Sequence, residues 1–151
     1  MREIVFRAKR KDNGEWVYGS LLIQAGERIN KDELTPAEYR ILGCRGENHL
    51  VDPETVGQYT GLKDKNGTKI FEGDILRLWG DGYDWNGIVV FGRTTSDEDN
   101  LEDYGYGWQL DKITKDEPVY TKILLWVEAE ADGIDCEIIG NIHDNPELLN
   151  K

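Results

Sequence analysis

The side chains with the most evident capacity for chemistry are two cysteines and two histidines. Cys44 precedes His49 with four residues between them, and Cys136 precedes His143 with six. Zinc prefers thiolate and imidazole ligands, but its structural sites usually contain a Cys-x-x-Cys knuckle or a repeated spacing, and neither is present. A thiol near an imidazole could also act as a nucleophile with its base, although nearness in sequence does not establish contact. We therefore expect structural roles for these four residues and no bound metal.

Acidic residues offer a second kind of chemistry, the binding of a divalent cation. The segment 64–67, followed by Glu72, partly matches a calcium-binding loop, but Gly61 and Leu62 stand where the ligand series should begin. An Asn-Gly hairpin turn accounts for the same segment without a cation. A later acidic run could hold a cation weakly, yet such a run is more often a solvated loop. Its carboxylates are Asp97, Glu98, Asp99, Glu102 and Asp103.

A pair of carboxylates, Asp81 and Asp84, could serve general acid–base catalysis only if one of them were desolvated. Both fall in the Gly-rich segment 80–87, which we predict to be a solvated loop. Gly-x-Gly spacings at 80–82 and 105–107 lack the rest of a nucleotide-binding fingerprint. We therefore predict no catalytic residues and no cofactor. The alternative is a small metal-dependent enzyme or nuclease factor that uses the Asp and Glu clusters.

Tryptophans next to acidic segments indicate a surface that recognises a basic protein. Exposed aromatic residues ringed by acid are suited to this task, and three Trp residues lie beside predicted loops. Packing in a core or a subunit interface is the ordinary alternative, and we favour it for the Trp side chains because small β domains need aromatic residues for buried area. The candidate surface comprises Trp79, Asp81, Asp84, Trp85, Asp97, Glu98, Asp99 and Trp108.

Net charge narrows the range of partners. The chain of 151 residues carries a formal charge of −12, and its distribution is uneven. Residues 1–50 hold nine Lys and Arg against eight Asp and Glu, whereas residues 51–151 hold nine against 22. An acidic surface repels phosphate backbones and anionic lipids, so direct nucleic-acid binding is disfavoured.

No apolar run reaches membrane-spanning length and the cysteine pair needs no disulfide, which together favour a cytoplasmic protein.

The elements that would position these residues are mostly strands. Apolar alternation on both sides of Asn13-Gly14 predicts an opening β-hairpin that spans residues 4–23. The spelling Thr-Pro-Ala-Glu at 35–38 is a capping box and predicts a short helix over 36–42. Asn66-Gly67 marks a second hairpin.

The second half of the chain predicts a small barrel. Strands at 75–79 and 88–91 are separated by the loop 80–87, a pattern similar to the start of an SH3-like barrel. A closing strand at 136–142 is followed by a helical turn at 145–149. We predict one mainly β chain, with an N-terminal β part at 1–60 and an SH3-like small barrel at 61–151, together with short helical turns.

Three segments of the chain together resemble the YopX family of phage and prophage proteins. They are Glu3 to Ala8, the motif PETVGQYTGLKD at 53–64 continuing to IFEGDI at 70–75, and IIGNIHDNPELL at 138–149. The resemblance spans essentially the whole chain and implies a mostly β, oligomeric protein of phages and prophages. It implies no established activity and supplies no catalytic residues.

These observations favour a non-catalytic phage or prophage accessory protein that acts by binding another protein. We expect a homo-oligomer, because exposed strand edges need cover and assembling subunits can supply it. A basic host or phage protein is the expected partner, and a specific form of the hypothesis is mimicry of DNA charge.

Overall fold

The computed structural model describes residues 3–31, 34–80, 83–95, 104–113, 123–124 and 135–150. It is mainly β, as the sequence predicts, and its strands pair antiparallel. The chain divides into two compact units, Met1–Tyr59 and Thr60–Lys151. The strands are β1 (Phe6–Lys9), β2 (Trp16–Gln24), β3 (Glu38–Leu42), β4 (Asn48–Leu50), β5 (Gly57–Lys63), β6 (Lys69–Phe71), β7 (Asp74–Gly80), β8 (Tyr83–Thr95), β9 (Tyr104–Lys112), β10 (Ile123–Leu124) and β11 (Asp135–Asn141).

The first unit is a curled antiparallel sheet. β1 and β2 form the predicted opening hairpin, and β3 and β4 follow in the order β4-β3-β2-β1. Arg10 forms a bridge with Val51, so the residue after β4 meets the residue after β1. Ala8, Ile41 and Val51 are fully buried and form the core of this unit. Burial of these apolar side chains is the main term that stabilises the curl.

The helix predicted over 36–42 is wrong, because β3 occupies most of this segment. Thr35 does not cap a helix: its hydroxyl accepts a hydrogen bond from the backbone N–H of Glu27 at 2.7 Å. β3 pairs with β2 along its whole length, and this pairing buries Ile41. A helix of about two turns has too few internal hydrogen bonds to compete with such pairing and burial.

The polar side chains of the segment 51–56 make hydrogen bonds to nearby backbone groups. Asp52 caps a 3₁₀ turn at Pro53–Thr55, and its carboxylate accepts from the N–H of Glu54 at 3.2 Å. The Thr55 hydroxyl accepts from the N–H of Lys9 in β1 at 2.8 Å and donates to the Asp52 carbonyl at 2.8 Å. The polar residues of this motif therefore hold backbone groups in place.

The second unit begins within β5 and contains the turn to β6, β6 itself and a five-stranded sheet. The β5–β6 hairpin turns at Asn66-Gly67 as predicted, and Gly67 has a φ of 79°, the left-handed conformation that the turn requires. The sheet order is β10-β9-β8-β7-β11. The core of the second unit contains the buried side chains of Ile70, Leu76, Leu78, Val89, Leu110 and Cys136.

The structure of the second unit differs from the sequence prediction at the loop 80–87, and it does not confirm the closed barrel. The predicted loop at 80–87 is wrong from Tyr83 onward, because β8 begins there and pairs with β7 from Gly80↔Tyr83 to Ile75↔Ile88. Residues 81–82 lie outside the described residues. The SH3-like closure is not confirmed: over the described strands the five-stranded sheet is open, with β10 and β11 at its edges.

The closing strand and helical turn are present as β11 and a 3₁₀ helix at Pro146–Asn150. Between them the Asn141 side chain accepts from the N–H groups of His143 and Asp144, both at 2.9 Å. Asn145 Oδ1 accepts a hydrogen bond from the backbone N–H of Asn141 at 3.2 Å. A Cβ on Gly140 would lie 2.6 Å from Asn145 Oδ1, so a larger residue here would force the Asn145 side chain to shift.

Candidate recognition surface

Half of the predicted recognition surface can be placed on the structure. Trp79, Asp84, Trp85 and Trp108 lie on strands β7, β8 and β9. The other predicted members, Asp81, Asp97, Glu98 and Asp99, lie outside the described residues.

Strand register separates these four residues onto the two faces of the sheet. Residues directly opposite each other in an antiparallel pair lie on the same face, and neighbours along a strand lie on opposite faces. Trp79 is opposite Asp84, so these two share a face. Trp85 is opposite Leu78, whose side chain is buried in the core. The structure therefore brings Trp79 and Asp84 together and places Trp85 on the other face.

The core face holds both Trp85 and Trp108. Each is half-buried and packs against the core cluster of the second unit. Trp108 in β9 is also opposite Phe91 in β8, with ring centroids 5.0 Å apart and planes at 69°. This edge-to-face geometry is favourable for aromatic pairs. Both tryptophans therefore contribute to packing, as the alternative for the Trp residues expects.

The solvent face carries a row of side chains across three strands. Asp135 of β11 and Asp84 of β8 are each opposite Trp79 of β7, so Trp79 has an aspartate as its neighbour on each adjoining strand. Two residues along β7, Arg77 is opposite Glu137 of β11. With Lys65 of the β5–β6 turn these residues form what we call the Trp79 face: Lys65, Arg77, Trp79, Asp84, Asp135 and Glu137.

Two cations lie against the Trp79 indole. Lys65 Nζ is 4.1 Å from the ring centroid and Arg77 Cζ is 5.6 Å from it, both within cation–π range. Lys65 also pairs with Glu137 at 3.0 Å, and Arg77 binds both carboxylate oxygens of Asp84 at 2.9 and 3.0 Å. These contacts orient the indole and hold it half-buried at the surface.

The same contacts keep the face charged. The hydrogen bond from Arg77 lowers the pKa of Asp84, and the hydrogen bonds from Lys65 and Asn66 lower the pKa of Glu137. The Asp135 side chain is exposed and makes no hydrogen bond or ion pair to another described residue. The Trp79 face thus has two cationic and three acidic side chains, and among the described residues only the Asp135 carboxylate of these three has no partner.

The sequence did not reveal Lys65, Asp135 or Glu137 as members of this face. The alternation along β7 already places Arg77 beside Trp79, and Asp135 and Glu137 have the same parity in the closing strand. That alternation is the signal available from the sequence. Which strands are neighbours, and in what register, is a tertiary property.

The partial calcium loop has a structural role. Asp64 Oδ1 accepts from the backbone N–H groups of Asn66 and Thr68, both at 2.9 Å, and Oδ2 accepts from Ile138 at 3.4 Å. The Lys65 N–H donates to the Cys136 carbonyl at 3.0 Å. The Asp64 carboxylate therefore stabilises the β5–β6 turn and, with the Lys65 N–H, binds that turn to β11.

The candidate metal ligands are not assembled in the part of the chain that the structure describes, where no group of three or more His, Cys, Asp or Glu side chains could hold an ion. Cys44 is exposed in the first unit, and Cys136 is buried in the core of the second. Within the described residues, no helix is long and apolar enough to cross a membrane.

Comparison with known proteins gives a family. Among curated proteins no match is found. The crystal structure of protein EF1440 from Enterococcus faecalis is similar over 99% of each chain, with 20% sequence identity and a TM-score of 0.42. The family model described as YopX protein matches residues 5–150. The chain therefore belongs to the YopX family.

Proposed function

We propose that this chain is a non-catalytic accessory protein of phages or prophages that binds a basic protein in the bacterial cytoplasm through the Trp79 face. The observation that carries the proposal is the register that sets Trp79 between Asp84 and Asp135 on the solvent side of the sheet. An aromatic side chain surrounded by ionised carboxylates matches a partner rich in Lys and Arg.

The contacts within the face support this function. Asp84 and Glu137 already have cationic partners in the chain, whereas Asp135 has none among the described residues. A partner's Lys or Arg side chain can pair with Asp135 and lie against the half-buried indole of Trp79. The internal ion pairs hold the ring in position before binding, which reduces the entropy lost on association.

Long-range charge adds to these contacts. Residues 60–151 contain nine Lys and Arg against 20 Asp and Glu, a net charge of −11. Such a field accelerates the approach of a basic partner and weakens as salt rises. A host or phage protein that normally binds nucleic acid is a suitable target, and the chain would then act as a mimic of DNA charge.

We also propose that the protein is a homo-oligomer, since open strand edges in its sheets need cover. Size-exclusion chromatography with light scattering measures this directly. The mass of a single chain at micromolar concentration would overturn the proposal.

The binding proposal is tested by capture from host lysate at low and moderate salt, with variants that separate the two sheet faces. Trp79→Ala and Asp135→Asn should lose the basic protein that the wild type retains. Tyr106→Ala is the matched control, because Tyr106 is an exposed aromatic residue of β9 outside the Trp79 face.

Charge mimicry is then tested with duplex DNA as a competitor for the captured protein. DNA should displace the chain from its partner if both occupy one site. Failure of the wild type to retain any basic protein at either salt concentration, or equal retention by Trp79→Ala, would contradict the binding proposal.

A further inference from the structure

One half of β2 has an open edge. β1 pairs with β2 only from Lys9↔Trp16 to Phe6↔Gly19, whereas β3 pairs with the other side of β2 over residues 20–24. Within the described ranges no strand pairs with the β1 side of Leu21–Gln24. Alternate backbone N–H and C=O groups of this segment therefore point away from the sheet, where they can pair with an extended strand.

Among the described residues, this edge lacks the devices that usually protect strand edges. Proteins cover such edges or place Lys, Pro or bulges on them. β2 contains no charged residue and no proline in its nine residues. By contrast, the edge strand β11 is covered by the β5–β6 turn, where the Lys65 N–H binds the Cys136 carbonyl and Asp64 binds the Ile138 N–H. The open edge of β2 is thus suited to pairing.

Side chains beside this edge are apolar and exposed. Leu22 is 42% exposed and Ile23 is 53% exposed, and the two lie on opposite faces of the strand. Any strand that pairs here would cover both, and burial of their surface would add to the hydrogen bonds. A partner strand of the same composition matches this site on both faces.

Charge favours a second copy of this chain at this place. Two copies repel each other through residues 60–151, which carry −11 each, but residues 1–59 hold nine Lys and Arg against ten Asp and Glu. The first unit is therefore where copies can approach with the least like-charge repulsion. The uncharged β2 strand is the part of this unit that offers a pairing edge.

We infer that Leu21–Gln24 of β2 pairs antiparallel with the same segment of a second copy. This inference names a surface for the proposed homo-oligomer and rests on it. In a two-fold antiparallel pair, opposed residues must share a face, so one residue lies opposite its own copy. The centre of the open segment makes Leu22 or Ile23 that residue.

The first test is Leu22→Lys, measured by size-exclusion chromatography with light scattering. A lysine at this edge places two like charges together in the pair, so the mass should fall toward that of one chain. Ile139→Lys is the matched control, since Ile139 is 36% exposed on the covered edge strand β11 and its variant should keep the wild-type mass. Circular dichroism checks that both variants fold.

The second test is oxidative cross-linking, which does not depend on a disruptive variant. Leu22→Cys and Ile23→Cys are made separately in a Cys44→Ser background, because Cys44 is an exposed thiol. Directly opposed residues have Cα atoms about 4.5–5.5 Å apart, within the range of about 4.4–6.8 Å that a disulfide spans. One of the two variants should form a covalent dimer in high yield, and Ile139→Cys should not.

The results of these two tests distinguish failure of the homo-oligomer proposal from failure of the β2 interface alone. A wild type with the mass of one chain overturns both the homo-oligomer and this interface. A wild-type oligomer that Leu22→Lys leaves intact, or that cross-links through neither Leu22→Cys nor Ile23→Cys, overturns the β2 interface alone. Binding of a basic partner by the Trp79 face should persist in Leu22→Lys, since that face belongs to the second unit.

Discussion

Replacing Asp64 tests whether the β5–β6 turn holds the edge strand of the second unit. Asp64 is only 7% exposed, and its Oδ1 accepts from the N–H groups of Asn66 and Thr68, both at 2.9 Å. Its Oδ2 accepts from the N–H of Ile138 in β11 at 3.4 Å. Asp64→Ala removes all three bonds, whereas Asp64→Asn keeps one oxygen for the turn and presents an amide NH₂ to Ile138.

The expected cost follows from these contacts. Hydrogen bonds to a charged acceptor contribute about 1.5–3 kcal/mol each, and burial of the carboxylate offsets part of the sum. We therefore expect Asp64→Ala to lower the free energy of unfolding by about 2–4 kcal/mol. Asp64→Asn should cost about 1–2 kcal/mol, because the turn keeps its two short bonds while the Ile138 N–H loses its acceptor.

The cost of Asp64→Ala should depend on pH. Burial opposes ionisation of Asp64, but the N–H groups of Thr68, Ile138 and Asn66 outweigh it and lower the pKa. Because the folded pKa lies below the unfolded value of about 3.9, the stabilising contribution is present above that pH. It is lost as the pH falls through the folded pKa, so the difference between wild type and variant should shrink on acidification.

Urea denaturation followed by tryptophan fluorescence, at pH 7 and again near pH 3, measures both effects. Asp111→Asn is the matched control: Asp111 is exposed on β9, and its variant should stay within about 0.5 kcal/mol of wild type. A change of less than about 0.5 kcal/mol for Asp64→Ala would refute the bracing role. An equal penalty at both pH values would refute the ionised carboxylate as its source.

Three further substitutions probe the two units, each by the same denaturation measurement. Thr55→Val removes a buried hydroxyl that makes two hydrogen bonds at 2.8 Å and should cost about 1–3 kcal/mol, whereas Thr68→Val, at an exposed threonine, should change little. Gly140→Ala places a Cβ 2.6 Å from Asn145 Oδ1 and should cost about 1–3 kcal/mol through overpacking. Leu76→Ala opens a cavity in a fully buried site and should cost about 2–5 kcal/mol. Values near zero for any of these three would contradict the packing described.

Much of the fold was predictable because its signals are local. The two Asn-Gly turns, the strand character around them and the closing strand depend on backbone preferences and on alternation within a few residues. The family resemblance also followed from a continuous motif, which begins at residue 53. The segment 36–42 was predicted wrongly because its capping residues favour a helix locally while pairing with β2 and burial of Ile41 favour a strand.

The sequence by itself determined the β class, the turns, the family and the uneven charge of this protein. Only the tertiary structure decided that Trp79 lies between Asp84 and Asp135 while Trp85 and Trp108 pack on the core face. The physical reason is strand register: side chains alternate with a period of two, so a shift of one residue between neighbouring strands would move a side chain to the other face. No local preference specifies that register, since it arises from burial summed over the whole sheet.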